Sequence, residues 1–225
     1  LHPGHVAAKL ASMTAPTRKG RDFIARHGET IYNAVHRFQE GEPHVPLTRK
    51  GFLQADEMGR ALREQLGAKP KLTIWCSDAE RAVQTMAILA GWLEIDPFDA
   101  QLDPRLREIN TASYGGRYYK DVVADVGEVN LADGVLKMPP DGETYEQMAA
   151  RLSDWLAETA DDPGDRLVVS HGNAIRVLRG LMTGLPDHPV AGVPFAPNLP
   201  QGSISLVADG VDSVAHLGGG TAPAT

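Results

Sequence analysis

Three apolar segments of the sequence each lead into residues that could carry out phosphate chemistry. The polar ends are Arg26-His27, Ser77 to Arg81, and Ser170-His171. Arginine suits bidentate contact with phosphate oxygens, and histidine can serve as a nucleophile or an acid-base group near neutral pH. Two histidines and two arginines that meet in one small pocket would require an anion, because uncompensated buried charge is costly. The sequence therefore predicts an anion-binding pocket.

Taken singly, each of these residues also has an ordinary structural explanation. Arg26-His27-Gly28 could be a turn, Arg81 a solvated side chain in the first turn of a helix, and His171 a strand-end histidine bonded to a carbonyl. Glu108, considered alone, is a surface carboxylate. The prediction depends on the coincidence of several strand ends rather than on any one residue.

The elements that must position these residues alternate between strand-like and helix-like segments. Apolar strands are predicted at 22–25, 72–76, 167–170, 203–207 and 211–217, and amphipathic helices after Thr48 as far as Gly67, from Ser77 onward, around 145–155 and at 174–182. The Ser77-x-x-Glu80 spacing predicts a capping box for the second helix. This alternation predicts an α/β fold, a three-layer α/β/α sandwich with a mostly parallel central sheet.

Ligands of open α/β sheets bind beyond the carboxyl ends of the strands, which is where the polar residues lie. Three segments rich in Pro, Gly and Asn, at 36–46, 109–142 and 184–202, are expected to lie over one end of the sheet. We expect residues 13–217 to form a single domain. Residues 1–12 are interpreted as a cloning scar before a start at Met13, and 218–225 as a flexible tail.

Composition limits the class of protein. The 225 residues carry a formal net charge of −7, with 42% hydrophobic and 23% charged residues, which is ordinary for a globular domain. The acidic balance argues against nucleic acid as a partner, and no stretch approaches the roughly 18 apolar residues of a membrane span. A single cysteine, Cys76, excludes a disulfide framework. Without a signal-peptide pattern, a cytoplasmic enzyme is expected.

The same residues belong to a series of motifs. The segment 26–33, Arg-His-Gly-Glu-Thr-Ile-Tyr-Asn, resembles the R-H-G-E-[ST]-x-x-N signature of the histidine phosphatase (phosphoglycerate mutase-like) superfamily. The resemblance continues in family order through 46–51, 77–85, 106–109, 142–144 and 169–173. Together these motifs cover roughly residues 21 to 208, and as a set they are highly specific.

The resemblance implies a mechanism. His27 would be the nucleophile that forms a phosphohistidine, and Glu108 would protonate the leaving oxygen and then activate water. Arg26, Arg81 and His171 would hold the phosphoryl oxygens as catalytic and substrate-binding residues. Asn33 and Gly172 would complete the substrate-binding set. Neither a metal nor a cofactor is expected, and the partner would be a small-molecule phosphomonoester.

The sequence departs from the family after Glu108. Where phosphatases of the family commonly have Gly-x-Trp-Glu-Gly, residues 112–116 are Ala-Ser-Tyr-Gly-Gly, which changes the wall beside the acid. Two interpretations of 117–120, Arg-Tyr-Tyr-Lys, stay open. These residues could contact a second anionic group of the substrate, or they could be a solvated helix start with buried tyrosine rings.

Several functions stay open at this point. Only 63 positions separate Glu108 from His171, which resembles the compact phosphatase branch rather than the cofactor-dependent phosphoglycerate mutases with their longer insertion. We therefore favour a phosphatase, with a mutase as the alternative. A non-catalytic phospholigand-binding module would be expected to lack His27 or Glu108. A serine hydrolase built on Ser170 lacks the glycine that a nucleophile elbow requires at position 168. The oligomeric state, including a homodimer, is left open.

Overall fold

The computed structural model describes residues 18–39 and 44–220. The strands are β1 (Asp22–Arg26), β2 (Leu72–Cys76), β3 (Gln101–Leu102), β4 (Asp165–Ser170), β5 (Ile204–Ala208) and β6 (Val211–His216). The helices are α1 (Ile31–Ala34), α2 (Arg49–Leu66), α3 (Glu80–Leu93), α4 (Tyr119–Val126), α5 (Tyr145–Glu158) and α6 (Gly172–Thr183). Short 3-10 helices occupy Pro97–Asp99, Pro104–Leu106, Ala112–Tyr114 and Ala132–Gly134.

The six strands form one sheet in the order β3-β2-β4-β1-β5-β6. The pairings from β3 to β1 are parallel, and β5 and β6 add an antiparallel hairpin at one edge. The hairpin turns at Asp209 and Gly210, both with positive φ, as the Asp-Gly pair predicts. The predicted mostly parallel sheet is confirmed.

Side chains alternate between the two faces of the sheet and build two separate cores. On β1, Ile24 belongs to the cluster that includes Leu152 of α5 and Leu178 of α6. Phe23 belongs to the opposite cluster, which includes Met58 of α2. Because successive strand residues face opposite sides, helices cover both faces. The predicted three-layer sandwich is confirmed.

Local sequence signals explain where most helices begin and end. The Thr48 hydroxyl accepts the Gly51 N–H at the start of α2, and Gly67 ends that helix with φ of +74°. Thr144 and Gln147 form a capping box at the start of α5. These contacts satisfy backbone groups that a helix end would otherwise leave unpaired.

The predicted capping box of α3 is wrong. The N-cap residue is Ala79, without a side-chain cap, and the helix begins at Glu80 itself. The Ser77 hydroxyl instead lies 2.7 Å from Nε2 of His171. The residue that sequence spacing assigned to a helix end therefore belongs to the polar end of the sheet.

The segment 109–142 contains more structure than its composition predicted. Helix α4 and two 3-10 helices lie within it. Tyr114, Val122 and Val129 form a small apolar cluster, against which Phe38 packs. This cluster joins the 109–142 segment to the chain that follows β1, on the side where the predicted site lies.

Some predictions concern the chain ends. The predicted cloning scar at 1–12, the start at Met13, and 221–225 of the predicted tail lie outside the described residues. Gly218, at the start of that tail, is buried, and its N–H donates to the Ser203 hydroxyl. Among the described helices, none is long and apolar enough to cross a membrane.

Candidate active site

Two neighbouring parallel strands bring the histidines together. Arg26 is paired with Ser170 at the carboxyl ends of β1 and β4, and His27 and His171 are the next residues. The His27 N–H donates to the Ser170 carbonyl at 3.1 Å. The two imidazole rings lie edge to face with their centroids 5.1 Å apart. The fold therefore places side by side two residues that are 144 positions apart in sequence.

His27 is held as a neutral ring with one nitrogen ready to react. Nδ1 lies 2.7 Å from the Gly28 carbonyl. A carbonyl only accepts, so Nδ1 carries the proton and Nε2 keeps its lone pair. Burial, followed by the positive charges of Arg81 and Arg26, holds the pKa of His27 well below its usual value. Nε2 of His27 is thus unprotonated at ordinary pH, with its lone pair available.

His171 has a fixed tautomer of the same kind. Nε of Arg81 donates to Nδ1 of His171 at 3.2 Å, so Nδ1 is an acceptor. The proton of the neutral ring is therefore on Nε2, which donates to the Ser77 hydroxyl at 2.7 Å. Burial is the largest cause that lowers the pKa of His171, and Arg81 adds to it. Ser77 and Arg81 together orient the ring.

Arg26 brings a buried positive charge to the same place. Its Nη1 donates to the Leu199 carbonyl at 2.5 Å, while its buried Nε has no partner among the described residues. Burial lowers its pKa to about 10, and Glu108 partly opposes that shift. A Cβ at Gly172 would lie 3.0 Å from Nη2 of Arg26, so glycine permits this close approach. An unpartnered buried donor on a cation is what an anion would satisfy.

Glu108 is half-buried at the start of α6. Its Oε1 accepts N–H groups of Ile109, Asn173 and Ala174 at 3.0 to 3.1 Å. Its Oε2 accepts one N–H group of the described residues, that of Asn173 at 2.9 Å. The backbone thus fixes the carboxyl group and leaves Oε2 as the less engaged oxygen.

Asn33 is oriented by its own helix end. Its side-chain oxygen accepts the Thr30 N–H at 3.1 Å, within the capping box that starts α1. The oxygen is therefore engaged locally, and the amide NH₂ is the group that remains to act as a donor.

A cavity of about 270 Å³ opens beside these residues. Of the predicted site residues, those that line it are Arg26, His27, Asn33, Glu108 and Gly172. Arg81 and His171 do not line it. They are buried behind its wall, at 4% and 0% exposure. His171 contacts His27, which lines the cavity, and Arg81 in turn contacts His171.

The loop after β1 is held by close backbone contacts. A Cβ at Gly28 would lie 2.3 Å from the Gly51 carbonyl oxygen, and one at Gly51 would lie 2.0 Å from that of Glu29. The Glu29 carboxylate accepts the Thr48 hydroxyl and the Lys50 ammonium. The glycine and glutamate of the Arg-His-Gly-Glu motif thus fix the chain next to His27 against the start of α2.

The structure places the residues for which the sequence leaves alternatives open. Arg117 pairs with Asp125, and Lys120 lies over the Tyr118 ring, so neither side chain reaches the cavity. Tyr119, the first residue of α4, does line it. Ser170 is 1% exposed and its hydroxyl donates to the Leu106 carbonyl, which does not suit the nucleophile of a serine hydrolase.

Sequence reasoning missed some features of the site. It places Ser77 at the polar end of a strand, but it assigns the side chain to a helix cap, and no pattern in the sequence shows the contact with His171. Arg176 lines the cavity from α6 but was not singled out. It lies one helical turn after Gly172, and residues four apart share a helix face, so that spacing could have indicated it. Within the described residues, no group of three His, Cys, Asp or Glu could hold a metal ion.

Comparison with known proteins decides the family. A family model for the histidine phosphatase superfamily (branch 1) matches residues 23–208. The chain belongs to this superfamily. Among its superfamily relatives, the probable phosphoglycerate mutase GpmB of Enterobacter sp. (strain 638) is 37% identical over 175 residues, covering 74% of this chain and 76% of that protein. The Erwinia tasmaniensis protein of the same name is 34% identical, covering 73% and 75%.

Solved structures with the superfamily fold bear other names. A structure named mycobacterial hydrolase 1 is 25% identical, with a TM-score of 0.70, and covers 90% of this chain and 100% of its own. A mycobacterial glucosyl-3-phosphoglycerate phosphatase with VO3 has the same TM-score and coverage at 24% identity. The α-ribazole phosphatase from Shigella flexneri has 21% identity and a TM-score of 0.67, covering 88% of this chain and 95% of its own. The last two show a shared fold.

Proposed function

We propose that this protein hydrolyses a small phosphomonoester through a phosphohistidine on Nε2 of His27. The observation that carries the proposal is the neutral, oriented His27, which lies against His171 and shares its cavity with the buried cation Arg26. A nucleophile of this kind beside fixed positive charge matches the needs of phosphoryl transfer, where positioning and electrostatic stabilisation supply most of the catalysis.

In the first step, Nε2 of His27 attacks phosphorus and the bond from phosphorus to the ester oxygen breaks. Glu108 gives its proton to the departing alkoxide, from Oε2. In the second step, a water molecule attacks phosphorus, Glu108 takes back a proton, and the P–N bond breaks to release phosphate. His27 and the protonated Glu108 are both restored, so that the cycle closes without a metal or a cofactor.

The cations stabilise the charge on the transferring group. Arg26 has a buried Nε without a partner in the described residues, and a phosphoryl oxygen would satisfy it. Both nitrogens of His171 are engaged, with Arg81 and with Ser77. A bound dianion favours the doubly protonated ring, which takes its second proton from solvent. Nδ1 then turns from an acceptor for Arg81 into a donor for the anion. Arg81 would then donate to the same group.

The test is phosphate release from a panel of phosphomonoesters, ranked by kcat/KM, for the wild type and His27→Ala. We expect the alanine variant to lose turnover while keeping the wild-type melting temperature, because the side chain faces a cavity rather than a core. Retained activity in a folded His27→Ala variant would contradict the proposal.

A phosphoglycerate mutase is the second candidate, favoured by the name of the curated relatives. A mutase must keep water from the phosphohistidine and return the phosphoryl group to a bound hydroxyl. Incubation of 3-phosphoglycerate with catalytic 2,3-bisphosphoglycerate separates the two. Formation of 2-phosphoglycerate faster than release of phosphate would favour the mutase.

A further inference from the structure

Arginines around the cavity differ from the other buried arginines in their partners. Arg166 pairs with Asp22 at 2.5 Å, and Arg179 pairs with Asp212 at 2.6 Å. Arg176 is equally buried, at 4% exposure, yet it has no carboxylate partner within the described part of the chain. Buried charges are normally paired. Among the described residues, Arg176 shares the lack of a carboxylate partner with Arg26, the other buried arginine that lines the cavity, and both are suited to an anionic ligand.

The guanidinium of Arg176 is fixed but not saturated. Nε donates to the Ala196 carbonyl at 2.8 Å, Nη1 to that of Gly134 at 3.3 Å, and Nη2 to that of Asp133 at 2.8 Å. These bonds use three of the five N–H groups of an arginine. The group also lies 3.7 Å from the centroid of the Phe195 ring. Two N–H groups remain on a side chain that lines the cavity.

Electrostatics favours an anion at this position. Burial is the largest cause that lowers the pKa of Arg176 to about 10, and the charges of Arg179 and Arg26 push it in the same direction, while Tyr145 and Asp133 partly oppose them. Carbonyl dipoles and an aromatic face also reduce the cost of the buried cation. The Asp133 carboxylate contacts Nε2 of His188 at 3.1 Å instead of forming an ion pair with Arg176. An anionic ligand would provide a negative charge in direct contact with the guanidinium.

The position of Arg176 separates it from the reacting phosphoryl group. Gly172, which lies against Arg26, and Arg176 are four residues apart on α6, about 6 Å along its axis. That spacing suits two anionic groups at opposite ends of a short molecule. We infer that Arg176 binds a second anionic group of the substrate, so that the substrate is a phosphomonoester that also carries a carboxylate or a second phosphate.

This inference rests on the proposed function and names the substrate class for the same cavity. It also replaces the sequence hypothesis that residues 117–120 contact a second anion, since of these four residues only Tyr119 lines the cavity. The competing explanation is that Arg176 has only a structural role, in which it anchors the backbone at residues 133–134 and 196 to α6. A purely structural tie would affect all substrates alike, whereas a binding residue changes the preference between them.

The experiment compares esters that differ only in the second group. 3-Phosphoglycerate and glycerol 3-phosphate differ by a carboxylate in place of a hydroxymethyl group, and 1,3-bisphosphoglycerol carries a second phosphate. We expect wild-type kcat/KM to be about 10- to 100-fold higher for at least one of the two esters with a second anionic group than for glycerol 3-phosphate. This is the range for hydrogen bonds to charged groups. The preferred ester identifies the second group as carboxylate or phosphate.

Arg176→Met should reduce that preference to near unity and leave inhibition by orthovanadate within about threefold, because vanadate occupies only the phosphoryl position. Arg176→Gln keeps a polar donor for the carbonyls and serves if the methionine variant does not fold. Arg179→Met is the matched control, a buried arginine of the same helix that is paired with Asp212. It should lower the melting temperature without changing the preference.

Three results would overturn the inference. One is a wild-type preference near unity in an enzyme that does release phosphate. The second is an unchanged preference in a folded Arg176 variant. The third is a loss of vanadate inhibition as large as the loss on the preferred ester, which would place Arg176 at the phosphoryl group. If no ester is hydrolysed at all, the proposed function fails instead.

Discussion

Replacing Glu108 with glutamine tests the general acid with little change in shape. Glutamine can place its oxygen where Oε1 accepts three N–H groups, those of Ile109, Asn173 and Ala174. Its NH₂ would then replace Oε2, which accepts the Asn173 N–H at 2.9 Å. The cost is about one hydrogen bond, on the order of 1 kcal/mol. The fold and the side-chain orientation should therefore survive.

The catalytic loss should depend on the leaving group. An alkoxide needs a proton as it departs, so we expect kcat/KM on alkyl phosphomonoesters to fall by about 10²- to 10⁴-fold, the usual contribution of general acid catalysis. p-Nitrophenolate departs nearly unaided. The burst of p-nitrophenol from p-nitrophenyl phosphate should therefore fall by much less, while the steady state that follows slows because water is not activated.

The assay is stopped-flow release of p-nitrophenol together with phosphate release from an alkyl ester. Asp141→Asn is the matched control, since Asp141 is an exposed carboxylate that bonds the Ser113 hydroxyl. It should leave both rates unchanged. An equal, severe loss of both burst phases in Glu108→Gln would refute the role of acid and assign Glu108 to positioning.

Two further predictions concern the histidines. Ser77→Ala removes the 2.7 Å contact that holds the tautomer of His171. It should lower kcat/KM about tenfold, because it removes one hydrogen bond to a group that becomes charged. It should also change the pH profile of kcat/KM. A purely structural defect would instead lower the melting temperature and leave the pH profile unchanged. Because the folded-state pKa of His27 and of His171 is lowered, the acid limb of kcat/KM should lie below pH 6.5. The free energy of unfolding should also decline as pH falls below 6.5, because His27 and His171 take up protons in the unfolded chain at a higher pH than in the folded one. An acid limb centred above pH 6.5 would contradict the assignment of His27 and His171 as neutral rings.

Much of the fold followed from the sequence because its signals are local. The apolar strand 72–76, the Thr48 cap and the Gly67 stop all depend on neighbouring residues, and the structure has them where expected. The site residues at strand ends were predicted because parallel strands share a carboxyl edge. Strand order and tautomers could not be predicted in this way, since they depend on contacts between distant segments.

The contacts of Ser77 and Arg176 show this limit most clearly. Ser77 satisfies the spacing of a capping box, but a buried imidazole 94 positions away takes its hydroxyl instead. Arg176 belongs to an ordinary amphipathic helix pattern, and its lack of a carboxylate partner becomes visible only once the 133–134 and 196 backbone is placed around it. Local spacing cannot show which of two partners lies closer in the folded chain.

The most direct test of the central claim is to trap the phosphoryl group on the enzyme. The wild type and Glu108→Gln are mixed with p-nitrophenyl phosphate, quenched in base within milliseconds, and examined by ³¹P NMR and peptide mass spectrometry. We predict one base-stable, acid-labile phosphate on Nε2 of His27, with a larger amount in the glutamine variant because its hydrolysis is slowed. Phosphate on another residue, or hydrolysis with no phosphoenzyme in either protein, would contradict the claim.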